Sequence, residues 1–491
     1  MFRRGFLSLF LAARVALGAD PQQLDRIIED TRRAFDVPGI AVAVVHKDAV
    51  IYAKGHGVKS LATNQPVTTS TRFAIASTTK AITTAAMGIL IDDGKMHWDD
   101  PVRKHIPGFR LSDALANQHV TLRDIVSHRT GLSRHDVLWY NSPWSRQEII
   151  RKIGLVDLTK PFRSAYQYQN IMFLTAGEAV AAASRGTWEA FVESRILQPL
   201  GMRNTDFSAN DIVKAPDYSE PYEKRGKNVT LVPRLNFDNI GPAGSINSSA
   251  DDLSRWVRMQ LNGGVFEGKR IINATTLRET HTAQTPIRLD DPNSRTVNIG
   301  TNMMAYGLGW TIQDYRGHHM VSHGGAIDGY RAQVVLLPND GFGIVILANL
   351  GGNNMPECLR ASIADHLLGL PAMDWIAKYL EAARNSEERA NKQRAERDVK
   401  RQKDTKPSHP LTAYSGSFTN PAYGEARIAL NNGALELQWS NWKVPLEHWH
   451  FDTFRATGPQ GSLRDTLIQF RLKPAGEVES VHFLDQSFQR P

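Results

Sequence analysis

The sequence predicts an α+β domain followed by a small all-β domain, and three observations indicate this. Two strand candidates, residues 40–45 and 51–55, lie near the start of the chain. Residues 80–256 then show mainly helical patterns, before strand patterns return. From residue 411 the hydrophobic pattern has a period of two. Because both ends of the first region contribute strands, we expect one mixed sheet with a helical subdomain packed against it.

The elements at the start of the chain have clear boundaries. Residues 22–35 have helical spacing, and Pro38-Gly39 ends that pattern. Residues 40–45 form an unbroken apolar run, which makes them a strong strand candidate. Residues 51–55 follow as its predicted hairpin partner. Later strands are predicted at residues 307–312, 333–338 and 343–349.

The sequence pattern changes twice in the last quarter of the chain. Residues 372–405 hold many charged side chains and neither Gly nor Pro, so they predict an exposed helix that acts as a spacer. Residues 426–439 then read as two strands around Asn431-Asn432-Gly433, which is a hairpin signature. Strand patterns recur at 467–472 and 478–483, and a small closed or half-closed barrel is expected.

These changes set the expected domain boundaries. We place an export signal at residues 1–19, the α+β domain at 20–370, a charged helical linker at 371–407 and the β-barrel-like domain at 408–491.

Composition restricts the classes of partner. The chain has 491 residues and a formal net charge of +8. Residues 378–406 alone hold ten Lys or Arg against six Asp or Glu, so half of the excess lies in the predicted linker. No nucleic-acid recognition motif accompanies this charge, and we expect no nucleic-acid partner. No stretch after the N-terminus is long and apolar enough to predict a stable membrane span, and the single Cys358 excludes an intrachain disulfide.

The N-terminus has the pattern of an export signal. Arg3 and Arg4 precede an apolar run, and small residues suited to cleavage lie near Ala19. The Arg-Arg-x-Phe-Leu order is similar to a twin-arginine signal, although Arg14 interrupts the apolar run. We expect export to a periplasm or secretion; the alternative is an ordinary amphipathic N-terminal helix.

The most informative motif is Ser77-Thr78-Thr79-Lys80. Residues three apart share one face of a helix, so Lys80 can reach the hydroxyl of Ser77. The apolar residues that follow predict a buried helix, and burial lowers the pKa of a lysine, which makes it a base. A second S-x-x-K, Ser440 to Lys443, lies in a strand-like stretch, where residues three apart point to opposite faces.

Two further motifs follow in order. Tyr168-Gln169-Asn170 comes first, and His323-Gly324-Gly325 stands just before the strand predicted at 333–338. With S-x-x-K, this order resembles the penicillin-recognising serine hydrolases, on the side of the class C β-lactamases, D-aminopeptidases and DD-peptidases. Segments around the motifs fit the same family and lie at residues 122–132, 241–246 and 306–310. The resemblance covers about residues 38 to 350.

The resemblance implies a role for each motif. Ser77 would be the nucleophile, Lys80 its base and Tyr168 the proton donor to the leaving group. Two cations, Lys80 and a protonated His323, would favour the phenolate or a shared proton on Tyr168. Asn170 would hold Lys80 and the substrate through its amide donors; the alternative is that it caps the next helix.

The remaining site residues belong to the third motif. His323 stands where many β-lactamases carry lysine, so the resemblance implies a weaker, pH-dependent hold on an anionic substrate. Gly325 lets a strand edge approach the substrate. The backbone N–H groups of Ser77 and Ala326 would form the oxyanion hole. His318 and His319 bring no acidic or thiol ligand with them, so we expect neither a metal nor another cofactor.

We therefore expect an exported serine hydrolase that cleaves an amide or ester through an acyl-enzyme. A peptide with D-residues or a cell-wall fragment is the leading candidate substrate. The alternatives are a β-lactamase, a carboxylesterase or acyltransferase, and a binding scaffold without activity. The C-terminal domain resembles the lipocalin-like appendages of some family members, and it would gate the site or mediate self-association into a homo-oligomer.

Overall fold

The computed structural model of the chain describes residues 20–290, 292–458 and 463–491. The predicted export signal, residues 1–19, lies outside the described residues. The longer helices are α1 (Pro21–Ala34), α2 (Thr79–Asp92), α3 (Asn170–Ser184), α4 (Ala250–Leu261), α5 (Met355–Leu368) and α6 (Trp375–Val399). Shorter α-helices span Val102–His105, Ala114–His119, Leu122–Val126, Arg146–Ile153, Trp188–Val192, Gln198–Leu200, Ala209–Ile212, Gly241–Gly244, Ala274–Thr280 and Pro292–Val297. Within the described ranges, no helix is long and apolar enough to cross a membrane.

One eight-stranded sheet forms the centre of the first domain. Its strands are β1 (Gly39–His46), β2 (Ala49–Gly57), β3 (Thr285–Pro286), β4 (Met304–Tyr306), β5 (Thr311–Tyr315), β6 (His318–Ile327), β7 (Tyr330–Leu337) and β8 (Phe342–Ala348). Their spatial order is β2-β1-β8-β7-β6-β5-β4-β3, and all neighbours are antiparallel, so the sheet is purely antiparallel and not mixed as expected. The pairing of β1 with β8 confirms that both ends of the domain build one sheet.

The strand predicted at residues 307–312 is only partly present. β4 ends at Tyr306 and β5 begins at Thr311, so the intervening residues form the turn between two antiparallel strands. Gly309 has a φ of +81°, in the left-handed region that glycine adopts without strain. Apolar residues in this turn pack into the core, and their hydrophobicity produced the strand-like pattern.

Strand β1 explains how the sheet is buried on both faces. Its side chains alternate, so Ala41 and Ala43 contact the core of the helical subdomain, while Val42 and Val44 contact the core beneath α1 and α5. A strand with a core on each side needs apolar residues at every position, which is the pattern seen in the sequence.

The C-terminal domain is a closed eight-stranded barrel. Its strands are β9 (Gly416–Asn420), β10 (Gly424–Asn431), β11 (Ala434–Trp439), β12 (Trp442–His450), β13 (Thr453–Ala456), β14 (Leu467–Leu472), β15 (Val478–Phe483) and β16 (Gln486–Gln489). The sheet closes where Thr419 pairs with Gln489. Alternate side chains point inward, and the aromatic residues Trp439, Phe454 and Phe470 are buried.

Helix α6 is anchored at both ends and is not a free spacer. Trp375 and Tyr379 are buried in the core that also holds α5. Just beyond its C-terminus, Arg401 Nε donates to the carbonyl of Trp449 at 2.8 Å. Arg397 forms an ion pair with Asp465 of the barrel at 2.8 Å. From residue 386 to its C-terminal end the helix is exposed, apart from Arg397, which explains its charged sequence.

Gly325 on β6 lies against the backbone that leads to Ser77. A Cβ atom built there would lie 2.1 Å from the carbonyl oxygen of Ile75. At the neighbouring Gly324 the nearest atom is the flexible side-chain end of Gln333, at 2.9 Å. We expect Gly325→Ala to lower the free energy of unfolding by about 1–3 kcal/mol, because backbone must move. Gly324→Ala should cost clearly less.

Urea unfolding of the two variants and the wild type measures this difference. Equal losses for the two substitutions would show that β6 does not approach the segment before Ser77 as closely as described.

Candidate active site

Ser77 lies in a strained turn that leads into a buried helix. The 3₁₀ turn Ala76–Thr78 precedes α2, and Ala76 has a φ of +47°, which is uncommon for a residue with a side chain. The preceding Ile75 is held by its N–H, which donates to the carbonyl of Ile246 at 2.9 Å. The side chain of Ser77 is only half-buried, so a substrate can approach it.

Lys80 is fully buried one turn later, and its contacts fit a neutral amine. Its Nζ lies 3.0 Å from Ser77 Oγ, 2.8 Å from Asn170 Oδ1 and 2.8 Å from the carbonyl oxygen of Ala243. The two carbonyl oxygens only accept, so they take both N–H groups of a neutral amine. Its lone pair then faces the hydroxyl of Ser77. Burial holds the pKa of Lys80 well below its usual value, and the charge of Arg134 lowers it further.

Tyr168 lies beside this pair as a neutral phenol. Lys80 Nζ is 4.9 Å from the centre of the Tyr168 ring. Burial raises the pKa of Tyr168, although a hydrogen bond with Ser77 and the charge of Arg134 oppose the rise. The predicted shift toward a phenolate is therefore wrong, because burial outweighs the nearby positive charge. A neutral phenol keeps the proton that a leaving group needs.

Asn170 connects Lys80 to an acidic residue that the sequence did not point to. Its Oδ1 accepts from Lys80, whereas the prediction assigned this contact to its amide donors. Its Nδ2 donates instead to Asp136 Oδ1 at 3.0 Å. The side chain of Gln169, not Asn170, caps α3 by accepting from the N–H of Ile171. Asp136 also accepts from Trp139 Nε1, so it fixes the orientation of the Asn170 amide.

His323 is buried and neutral, which corrects the prediction of a partly charged residue. Its Nδ1 lies 2.7 Å from the carbonyl of Gly324 and therefore carries the proton. Its Nε2 accepts from the hydroxyl of Tyr306 at 2.9 Å. Burial, with a contribution from Lys80, lowers the pKa of His323 to about 3. The ring supplies no positive charge near neutral pH.

Gly325 and Ala326, the second of which was predicted to form the oxyanion hole with Ser77, lie on strand β6. Gly325 contacts Ile75, and Ala326 follows it on β6 opposite Arg331. The assignment of the Ser77 and Ala326 N–H groups to an oxyanion hole stays a prediction. In the described part of the chain, no group of three or more His, Cys, Asp or Glu side chains is placed to hold a metal ion.

His128 holds Tyr168 in place from both sides, a role that the sequence did not indicate. Its carbonyl accepts from the N–H of Gln167 at 2.8 Å, and its Nδ1 accepts from the N–H of Gln169 at 3.1 Å. The ring is fully buried, and its centre lies 4.3 Å from that of Tyr168. Burial keeps the pKa of His128 well below its usual value, so Nδ1 stays an acceptor.

The barrel docks on the segment that carries Asp136. His135 Nδ1 and the Tyr423 hydroxyl are 2.6 Å apart, and Ser440 Oγ donates to the carbonyl of Asn141 at 3.2 Å. The second S-x-x-K therefore begins at a contact between domains, while its Lys443 is exposed and pairs with Glu436. This segment links the barrel to the site through Asp136 and Asn170.

A helical subdomain on a large antiparallel sheet, with Ser77 and Lys80 at their junction, is the architecture of a serine hydrolase. Residues 24–368 match the model of the family described as Beta-lactamase, and residues 400–490 match a domain of unknown function, DUF3471. The first match covers most of the chain, so the protein belongs to the Beta-lactamase family, a family of serine hydrolases.

Relatives and solved structures agree with this assignment. The unguisins hydrolase ungD of Aspergillus violaceofuscus is 28% identical over 93% of this chain and 86% of its own length. The octameric penicillin-binding protein homologue from Pyrococcus abyssi superimposes with a TM-score of 0.63 at 19% identity, over 96% of this chain and 100% of that one. SurE with D-Leu gives a TM-score of 0.55 at 19% identity, over 96% and 100%. These two structures share the fold.

Lys80 makes a testable prediction about pH and stability. Below about pH 10.4 the unfolded chain carries the proton on this lysine, whereas the folded protein does not until the pH falls to its lowered pKa. The unfolded state therefore binds more protons, and stability rises with pH in this window by up to about 1.4 kcal/mol per unit. Lys80→Met removes this slope. Urea unfolding between pH 6 and 10 measures it.

Lys443→Met is the matched control, because that lysine is exposed and should leave the slope unchanged. Parallel curves for the wild type and Lys80→Met would contradict a lowered pKa at Lys80.

His128 makes a second prediction, about the position of Tyr168. His128→Leu removes the acceptor for the Gln169 N–H, and we expect amide turnover to fall about 100-fold as Tyr168 moves. His128→Asn keeps an acceptor near the position of Nδ1 and suits the left-handed backbone, with φ +58°, so it should retain much more activity. The measurement is kcat on a p-nitroanilide and on a p-nitrophenyl ester.

The ester is the internal control, since p-nitrophenolate leaves without a proton and depends less on Tyr168. Equal losses on both substrates, or no difference between Asn and Leu, would rule out this role of His128.

Proposed function

We propose that this protein is an exported serine hydrolase that cleaves amide bonds in peptides containing D-residues, through an acyl-enzyme on Ser77. The observation that carries the proposal is the fully buried Lys80 amine, whose Nζ lies 3.0 Å from Ser77 Oγ and 2.8 Å from each of two carbonyl oxygens. The export step rests on the N-terminal sequence pattern.

Each proton has a defined route in the proposed reaction. Lys80 takes the proton of Ser77 as its Oγ forms a bond to the substrate carbonyl carbon. The N–H groups of Ser77 and Ala326 stabilise the oxyanion, and Tyr168 gives its proton to the leaving amine as the C–N bond breaks. Lys80 returns its proton to Tyr168. Water then adds to the acyl group, loses a proton to the same groups and releases the acid and Ser77.

The substrate class is supported by two similar proteins. One relative is named a hydrolase of unguisins, and one solved structure of the same fold is SurE with D-Leu. A neutral His323 is also a departure from β-lactamases that carry lysine in the third motif. The octameric homologue supports the proposal that this chain self-associates.

Labelling with a fluorophosphonate probe tests the nucleophile. We expect the wild type to be labelled at Ser77, and Ser77→Ala to lose labelling, because the hydroxyl removed is the one that lies 3.0 Å from the Lys80 amine. Ser440→Ala is the matched control, since it removes the serine of the second S-x-x-K and should label as the wild type does. Persistent labelling of Ser77→Ala would overturn the assignment.

A substrate panel on the same protein tests which type of bond the enzyme cleaves. D-amino-acid p-nitroanilides should be cleaved faster than their L-counterparts. Turnover confined to short p-nitrophenyl esters would identify an esterase or acyltransferase, and rapid turnover of nitrocefin would identify a β-lactamase.

A further inference from the structure

The two groups that the sequence offered as cations beside Ser77 are both occupied inside the protein. Lys80 uses its N–H groups on Asn170 and Ala243 and its lone pair on Ser77. His323 is neutral, with one ring nitrogen on the Gly324 carbonyl and the other on the Tyr306 hydroxyl. Neither group presents a positive charge or a free donor to a substrate.

Arg134 is an exposed cation that lies beside Tyr168. Its guanidinium carbon lies 5.0 Å from the centre of the Tyr168 ring, and its side chain is 57% exposed. Its Nε donates to Asp136 Oδ2 at 2.7 Å, which fixes one edge of the guanidinium. No hydrogen bond from its two Nη groups is found to the described residues, so this edge faces solvent beside Tyr168.

The charge of Arg134 reaches the reacting groups. Burial is the main cause of the lowered pKa of Lys80 and His128 and of the raised pKa of Tyr168, and the charge of Arg134 adds a lowering contribution to all three. The charge of Arg134 interacts with both Lys80, the candidate base, and Tyr168, the candidate proton donor. It is therefore close enough to interact with a substrate group bound between them. Asp136 holds the guanidinium without covering its Nη edge.

The Nη edge of the Arg134 guanidinium suits one chemical class of ligand, a carboxylate. Two parallel N–H donors of a guanidinium match the two oxygens of a carboxylate, and this pairing is stronger than a hydrogen bond between neutral groups. A peptide has such a group at its C-terminus. Tyr168 is the group proposed to protonate the leaving amine, so a carboxylate on the leaving residue would lie next to Arg134.

We infer that Arg134 binds the free α-carboxylate of the leaving residue, so that this enzyme prefers peptides cut one residue from their C-terminus. The inference rests on the proposed function and adds a specificity-determining residue to it. The sequence assigned anion binding to His323 of the third motif, which is neutral in the structure. We assign this role to Arg134 instead.

Protection against fluorophosphonate labelling tests this inference without requiring turnover. The probes are acetyl-D-Leu-D-Ala and its C-terminal amide, which differ only in the carboxylate. In the wild type we expect the acid to protect Ser77 at a concentration about tenfold or more below that of the amide. In Arg134→Ala this preference should disappear, and Arg134→Lys should restore part of it. Each value is normalised to the labelling rate of the same variant without peptide.

Arg33→Ala is the control for net charge, because it removes an exposed arginine of α1, a helix packed on the core at the opposite face of the sheet. It should keep the preference of the wild type. Equal protection by acid and amide in the wild type, or an unchanged preference in Arg134→Ala, would overturn the inference. If the proposed function itself were wrong, the result would be distinguishable, because the wild type would then not be labelled at Ser77 at all.

Discussion

The site depends on a lysine amine that is kept neutral by burial. Lys80 lies within the protein with no exposed surface, and its three neighbours accommodate an amine with two N–H groups and one lone pair. A charged ammonium could use the hydroxyl oxygen of Ser77 as its third acceptor, but the desolvation that burial imposes disfavours the charged form. Once Lys80 is neutral, Ser77 has a base within one helical turn, and the neutral Tyr168 keeps a proton for the leaving group. The proposed proton transfers therefore depend on the burial of α2, the helix that carries Lys80.

The same constraint explains the groups around the site. A buried base needs neighbours that do not add charge, and both His128 and His323 are neutral for the same reason, which is burial. Positive charge is left to the exposed Arg134, whose Nε is held by Asp136. Such an arrangement costs stability, because buried polar groups are expensive to desolvate. The sheet, the helical core and the contact between barrel and segment 135–141 hold it in place.

Much of the fold could be predicted because hydrophobic periodicity reports burial directly. The apolar run of β1 indicated a strand, and the motif order placed Ser77, Lys80 and Tyr168 together. The protonation states could not be predicted, because they depend on burial by elements far away in sequence. Residue types suggested a cationic His323 and a phenolate, and burial reversed both. The role of His128 depends on hydrogen bonds from two backbone N–H groups, one to its carbonyl and one to its ring, which leave no trace in a sequence.

The most direct test of the account is the pKa of Lys80 itself. In protein labelled with ¹³C at the Cε of lysine, the resonance absent from Lys80→Met belongs to Lys80, and its chemical shift can be followed with pH. The account predicts a midpoint well below the ordinary value of about 10.4. A midpoint at that ordinary value would mean that the amine is charged at neutral pH, and Ser77 would then have no base.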